Sequence, residues 1–321
     1  MKRFTAKLSA VLLAVLMIVV CVVPSFAATR TYRNYAVLGD SIPAGYMLPG
    51  YKFAGKKTAL WPVVPGSYPE YVKKGVRATN IYMMAHSGYR TADIRRVLDP
   101  SFKGDYFNGR RLPTYPDSME VNETQLKQLR SQVVNYIAKS DLITLNIGGN
   151  DVFQFLLILR DMINDDLIAI EDLQNLPALP LDATLKDVRQ LAGNSETLYR
   201  ILEMELNSIQ DFHTHFDAII RRIHEINPRA RLLVLGVYNP IDVLKFGPVS
   251  ANFLVEPVIE SFNAYYRTGC RYRNYYQFVP LKNIDTYVGT GQLFVNPEQP
   301  VDIHPTKNGH RQIAQQILAA L

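Results

Sequence analysis

Cysteine is nearly absent: Cys21 and Cys270 are the two in 321 residues. A pair permits one disulfide at most, which excludes a small stapled scaffold and leaves the fold to stand on its core. Runs of Lys or Arg are also missing, and the formal charge of +6 is spread along the chain, so charge gives no ground for a nucleic-acid partner. Neither an internal repeat nor a low-complexity tract occurs, which excludes a solenoid or a disordered array. Long apolar runs are scarce too. The one from Leu8 to Val23 falls short of the roughly 18 residues expected of a membrane span.

That run has a different meaning in its setting. Lys2, Arg3 and Lys7 precede or open it, and Ser25 and Ala27 follow it at small-residue positions. This is the make-up of a secretory signal peptide, and residues 1–27 are read as one, cleaved after Ala27. An uncleaved membrane anchor is the alternative. A lipid anchor on Cys21 lacks the small residue that its processing wants among Ile18-Val19-Val20. Cleavage removes Cys21, so Cys270 has no partner for an internal disulfide, and it lowers the formal charge by three. Residues 28–321 then form a single secreted domain with no stable membrane span.

What is present is enough apolar sequence, 48% of the chain against 20% charged, to bury a substantial core. Five segments read as strands: Tyr35–Leu38, Arg77–Met84, Leu142–Ile147, Arg231–Val237 and Tyr276–Leu281. Helix-period segments lie between them, at Glu123–Ala138, Ser195–Asn227 and Pro257–Tyr272, and a last amphipathic helix runs from Gly309 to Leu321. The alternation predicts a parallel sheet covered by helices on both faces. Residues 42–69, rich in Pro, Gly and Tyr, and residues 152–194 exceed what this pattern needs and are read as insertions. Both leave the carboxyl rim of the sheet, where they serve either as substrate walls or as structural decoration.

Four short motifs fall on that rim. The first strand ends in Gly39-Asp40-Ser41, the second in Ser87-Gly88, the third in Gly148-Gly149-Asn150-Asp151, and His304-Pro305 precedes the last helix. A serine hydroxyl becomes nucleophilic when an imidazole takes its proton, and His304 is the histidine suitably placed to do so. An oxyanion formed by its attack needs preorganised donors, which the backbone N–H groups of Ser41 and Gly88 and the side-chain amide of Asn150 can supply together. Glycine at 88 permits close backbone approach, and Gly148-Gly149 permits the turn that aims Asn150 inward.

On these residues the chain resembles the SGNH hydrolases, or GDSL lipase/esterase family, over about residues 34–321. The resemblance implies a flavodoxin-like three-layer α/β/α fold with strand order 2-1-3-4-5. It implies Ser41 as nucleophile, His304 as base, Ser41, Gly88 and Asn150 as oxyanion donors, and no metal or organic cofactor. In one respect the chain departs from the family: the acid usually stands three residues before the histidine, where this chain has Val301, while Asp302 is two before. Asp302 is favoured as the third member, with a backbone carbonyl as the alternative orienter. Asp40 and Asp151 are read as holding their loops through backbone N–H groups.

The expected activity is a secreted serine ester hydrolase acting on a small-molecule, polysaccharide or lipid ester. An acyltransferase using the same Ser-His pair and a non-catalytic polysaccharide-binding protein are the alternatives. His213, His215, His224 and His310 are expected to be solvated helix residues, and the i, i+2 spacing of the first two argues against a metal pair. His86 lies either at the rim, behind it or exposed. Trp61, Tyr46, Tyr51 and Tyr68 form either an aromatic wall for an acyl chain or sugar ring, or the packing of their own loop.

Overall fold

The computed structural model describes residues 31–52, 60–104, 106–107, 110–111, 122–153, 179–180, 182–240, 245–246, 249–250, 252–288 and 302–321. The expected signal peptide and most of the 152–194 insertion lie outside the described residues, as does part of the 42–69 insertion.

Five parallel strands build the sheet: β1 (Asn34–Gly39), β2 (Asn80–Met83), β3 (Leu142–Asn146), β4 (Arg231–Leu235) and β5 (Gln277–Val279), in the order β2-β1-β3-β4-β5. This is the flavodoxin-like order. The registers Gly39↔Asn146 and Asn146↔Leu235 bring the carboxyl ends of the three central strands level, so the loops after them leave from one edge. Such an edge, next to the point where the strand order reverses, is where open α/β sheets bind ligands.

Alternation along the strands sorts the core into two layers. Ala36, Leu38, Ile143, Leu145, Leu232 and Val234 face one side. They pack there against α3 (Thr91–Leu98), α4 (Glu123–Lys139), α6 (Glu196–Ile226) and α7 (Asn252–Ala264). Tyr35, Val37, Leu142, Leu233, Leu235 and Val279 face the other side. Their partners are α2 (Tyr68–Gly75) and α8 (Lys307–Ala319). Two further short helices lie among the described residues, α1 (Ser41–Ala44) directly after β1 and α5 (Leu185–Ala192) before α6. Among the described residues no helix is long and apolar enough to cross a membrane.

Element boundaries shift where backbone chemistry intervenes. The second strand begins at Asn80 and not at Arg77, because Arg77 takes φ of +55° and its N–H closes a turn onto Lys74 O at 3.2 Å. The fifth strand stops at Val279 before Pro280, which has no N–H to offer a ladder. Pro257, read as a helix start, lies inside α7, which begins at Asn252 and runs on into a π-helical turn at Tyr265–Gly269. The caps follow the sequence more closely. Ser195, Asn122 and Thr306 each accept a backbone N–H from the first turn of their helix.

Candidate active site

Gly39 ends β1 with φ of +149°, and a Cβ there would stand 2.1 Å from the carbonyl oxygen of Asn146. Glycine is thus required for β1 and β3 to stay in contact up to the rim. Asp40 then caps α1, its Oδ1 accepting the Ile42 N–H at 2.9 Å. Burial pushes the Asp40 carboxyl up to about 7, with the Asp151 carboxylate adding to the rise. Ser41 is the first residue of α1. Its Oγ lies 2.8 Å from His304 Nε2, and His304 Nδ1 lies 2.8 Å from Asp302 Oδ1.

The two-residue spacing of Asp302 and His304 has a local explanation. Asp302 Oδ1 also accepts the backbone N–H of His304 at 2.9 Å. A carboxylate bonded to the N–H two residues on forms an Asx turn, which folds the chain back so that the imidazole of the same residue reaches the same oxygen. The loop is clamped from outside as well. Val288 N–H donates to Asp302 O at 3.1 Å, Tyr287 N–H to His304 O at 3.1 Å, and Thr306 N–H to Asp285 O at 2.9 Å. Asp302 is 1% exposed, so the carboxylate works away from bulk water.

The third motif opens with Gly148 at φ of +110°, and Val152 N–H bonds back to Gly148 O. Asn150 Nδ2 donates one hydrogen to Tyr89 O at 2.8 Å, which leaves its second amide hydrogen for the cleft. Asp151 accepts from Thr91 N–H at 3.1 Å and from Thr91 Oγ1 at 2.6 Å, tying the third motif to the start of α3. Gly88, at φ of +84°, immediately precedes Tyr89 in the turn after β2. The structure therefore brings Ser41, Asn150 and His304 to one cleft. Gly88 adjoins it through Tyr89 and is not among the residues that line it.

The cleft encloses about 610 Å³ including its solvent-open mouth. Apart from Asp40, Ser41, Asn150 and His304, it is walled largely by apolar side chains, among them Ile147, Val152, Val237, Val255, Ile259 and Ile303. Among the described residues no Lys or Arg lines it.

Aromatic residues of the 42–69 segment divide between the core and the neighbourhood of His304. Tyr68 is fully buried and Trp61 is 8% exposed, its Nε1–H donating to His86 Nε2 at 2.8 Å. Tyr46 stands at the site, its ring 4.7 Å from that of His304 at 51°, and Tyr51 meets Tyr46 edge-on at 5.2 Å. Loop composition carried no signal that separated the two pairs.

Several histidines are not solvated as expected. His215 and His310 are buried because the apolar stripes of α6 and α8 include their positions. His213 and His224 are half-buried, stacked on Tyr265 and Tyr275. His86 is buried behind the rim, and burial pushes it down to about 3. His310 is pushed down to about 3 by burial and, secondarily, by His304, and its Nδ1 accepts the Tyr68 N–H at 3.3 Å. Among the described residues, no three His, Cys, Asp or Glu side chains are placed to hold a metal ion.

The buried His310 has a testable thermodynamic consequence. Its folded value lies below the ordinary 6.5, so as pH falls through 6.5 the unfolded chain takes up a proton that the folded chain refuses until near 3. Urea unfolding of wild type and His310→Gln at stepped pH is expected to move the stability difference toward the variant by about 1.4 kcal/mol per pH unit below that point. Parallel pH curves for the two proteins would contradict it.

The doubly wound sheet, with this constellation at its carboxyl edge and an apolar cleft beside it, defines an ester hydrolase of the α/β type. The sequence model of the GDSL-like lipase/acylhydrolase family matches residues 37–312, and the chain belongs to that family. No curated protein matches it in a sequence search. Among solved structures, it is similar to an extracellular lipase from Streptomyces rimosus, at 19% identity and a TM-score of 0.51, over 90% of this chain and 99% of that one. A lipase from a goat rumen metagenome is similar at 14% identity and a TM-score of 0.50, over 89% and 96%. At these identities the likeness speaks for the fold.

Proposed function

We propose that the protein is a secreted serine ester hydrolase working through an acyl-enzyme on Ser41. The observation that carries this reading is the hydrogen-bonded line Asp302–His304–Ser41, at 2.8 Å for each side-chain step, beside an apolar cleft. His304 Nε2 takes the proton of Ser41 Oγ as Oγ bonds to the acyl carbon, and Asp302 holds the imidazole in the tautomer that leaves Nε2 free to accept. Negative charge on the former carbonyl oxygen is met by the free amide hydrogen of Asn150 and the backbone N–H of Ser41, both in the cleft, with the backbone N–H of Gly88 in the adjoining turn as the third donor. Collapse breaks the ester C–O bond, with the proton passing from Nε2 to the alcohol. Water, activated by the same nitrogen, then releases the acid. Secretion is supported by the signal-like residues 1–27.

The apolar wall supports the cleft as the seat of the acyl chain. Going from an acetyl to a butanoyl ester adds two methylenes at about 0.8 kcal/mol each, so kcat/KM on nitrophenyl esters is expected to rise roughly tenfold. A fluorophosphonate should label the peptide containing Ser41 and abolish hydrolysis in step. Label on Ser87, or lost activity with no label, would refute the assignment.

A further inference from the structure

An acyl chain in the cleft accounts for one substituent of the ester carbon. The position of the other follows from the proton it has to receive. In acylation the Oγ–C bond forms and the C–O bond to the alcohol breaks, and the proton from Oγ reaches the alcohol oxygen by way of His304 Nε2. That oxygen must come within about 3 Å of Nε2. The alcohol is therefore built outward from the edge of the His304 ring, and Tyr46 stands beside this ring with Tyr51 set edge-on to it.

We infer that Tyr46, Tyr51 and Ser87 form the alcohol subsite and that the alcohol they hold is a sugar ring. The inference rests on the ester-hydrolase reading of Ser41. Both tyrosines are half-buried, so each keeps part of its surface open to a ligand. Set at 75° to each other, the two rings make a corner against which the C–H face of a pyranose can pack. The corner also has a polar edge. Tyr51 OH and Ser87 Oγ are 2.6 Å apart, and because Ser87 is buried while Tyr51 is half-buried, it is the Tyr51 hydroxyl, backed by Ser87, that is offered to a sugar oxygen.

The corner is held before any ligand arrives. Tyr46 N–H bonds to Ser41 O at 3.0 Å, and Tyr51 N–H to Leu48 O at 3.0 Å. Leu48 is buried, and Met47 between the tyrosine and this anchor sits at φ of +68°, a conformation a non-glycine residue keeps only when its surroundings impose it. Little ordering remains to be done on binding, which favours a rigid cyclic ligand. A phosphate-bearing alcohol would want cations. Among the described residues the cleft is lined by none, and the exposed Lys52 beside Tyr51 is the reason to test that class directly.

The experiment holds the acyl group constant and varies the alcohol: the hexanoyl ester of methyl glucoside, ethyl hexanoate and hexanoyl lysophosphatidylcholine. Wild type is expected to favour the glucoside over the ethyl ester by at least about tenfold in kcat/KM, the scale of one aromatic stacking contact with its hydrogen bond. Tyr46→Ala and Tyr51→Ala should collapse that ratio toward one, and Tyr51→Phe, which keeps the ring, should reduce it in part. The loss should fall on acylation and not on deacylation, because the alcohol has left by then. A wild-type ratio near one, preference for the phospholipid, or equal losses on all three esters would overturn the inference, and the wild-type ratio decides it even where a variant fails to fold. Failure of the underlying reading looks different: no ester is turned over and Ser41 takes no fluorophosphonate.

Discussion

Asp302→Asn is expected to lower kcat/KM on the order of 10⁴-fold, close to the loss from His304→Ala. The carboxylate accepts at one oxygen from both the backbone N–H and Nδ1 of His304. An amide placed there can satisfy the backbone N–H through its oxygen but can equally turn its NH₂ toward Nδ1. The imidazole then settles with its hydrogen on Nε2, facing Ser41 Oγ, and cannot accept the serine proton. Because Asn replaces Asp almost isosterically and the loop stays clamped to residues 285–288, folding should survive, and unfolding midpoints check this. Rates of both variants across pH are the decisive measurement. Equal, severe losses establish a triad, whereas a mild Asp302→Asn phenotype beside a severe His304→Ala one assigns the orienting role to a backbone carbonyl.

The second large effect is expected at Asn150. It is the one proposed oxyanion donor that is a side chain and can be removed without rebuilding the backbone. Asn150→Ala should lower kcat by about 10²- to 10³-fold, roughly 2.7–4 kcal/mol of transition-state stabilisation, and leave KM nearly unmoved. The substitution also removes the bond to Tyr89 O, so the turn carrying Gly88 loses a tie. Thermal unfolding separates the two consequences: a lowered Tm reports the tie, and a lowered kcat at temperatures where the variant is fully folded reports the donor. Near-normal kcat with weakened substrate binding would instead make Asn150 a recognition residue.

How far the sequence could be read depended on the range of the interactions involved. The sheet was legible because β1, β3 and β4 are short apolar runs bounded by turn residues, and their order follows from the family resemblance. The matching of Ser41, Asn150 and His304 to one edge was legible for the same reason, since each ends or follows an element that periodicity locates. Asp302 was harder. Sequence spacing measures distance along an extended chain, and an Asx turn cancels it. Residue type directs the histidines of α6 and α8 to solvent, whereas the helical face on which His215 and His310 fall directs those two into the core. Tyr46 and Trp61, in the same loop and chemically alike, could be told apart only by the three-dimensional path of the chain, which carries one to His304 and the other to His86.

Ser41 and His304 stand 263 residues apart in sequence, yet their side chains share a hydrogen bond. Ser41 is placed by the first strand, and His304 by a loop bonded to residues 285–288 and leading into α8. On the proposed mechanism, a copy truncated ahead of the Asp302–His304 loop keeps the serine but has no imidazole to take its proton, and is expected to be inert.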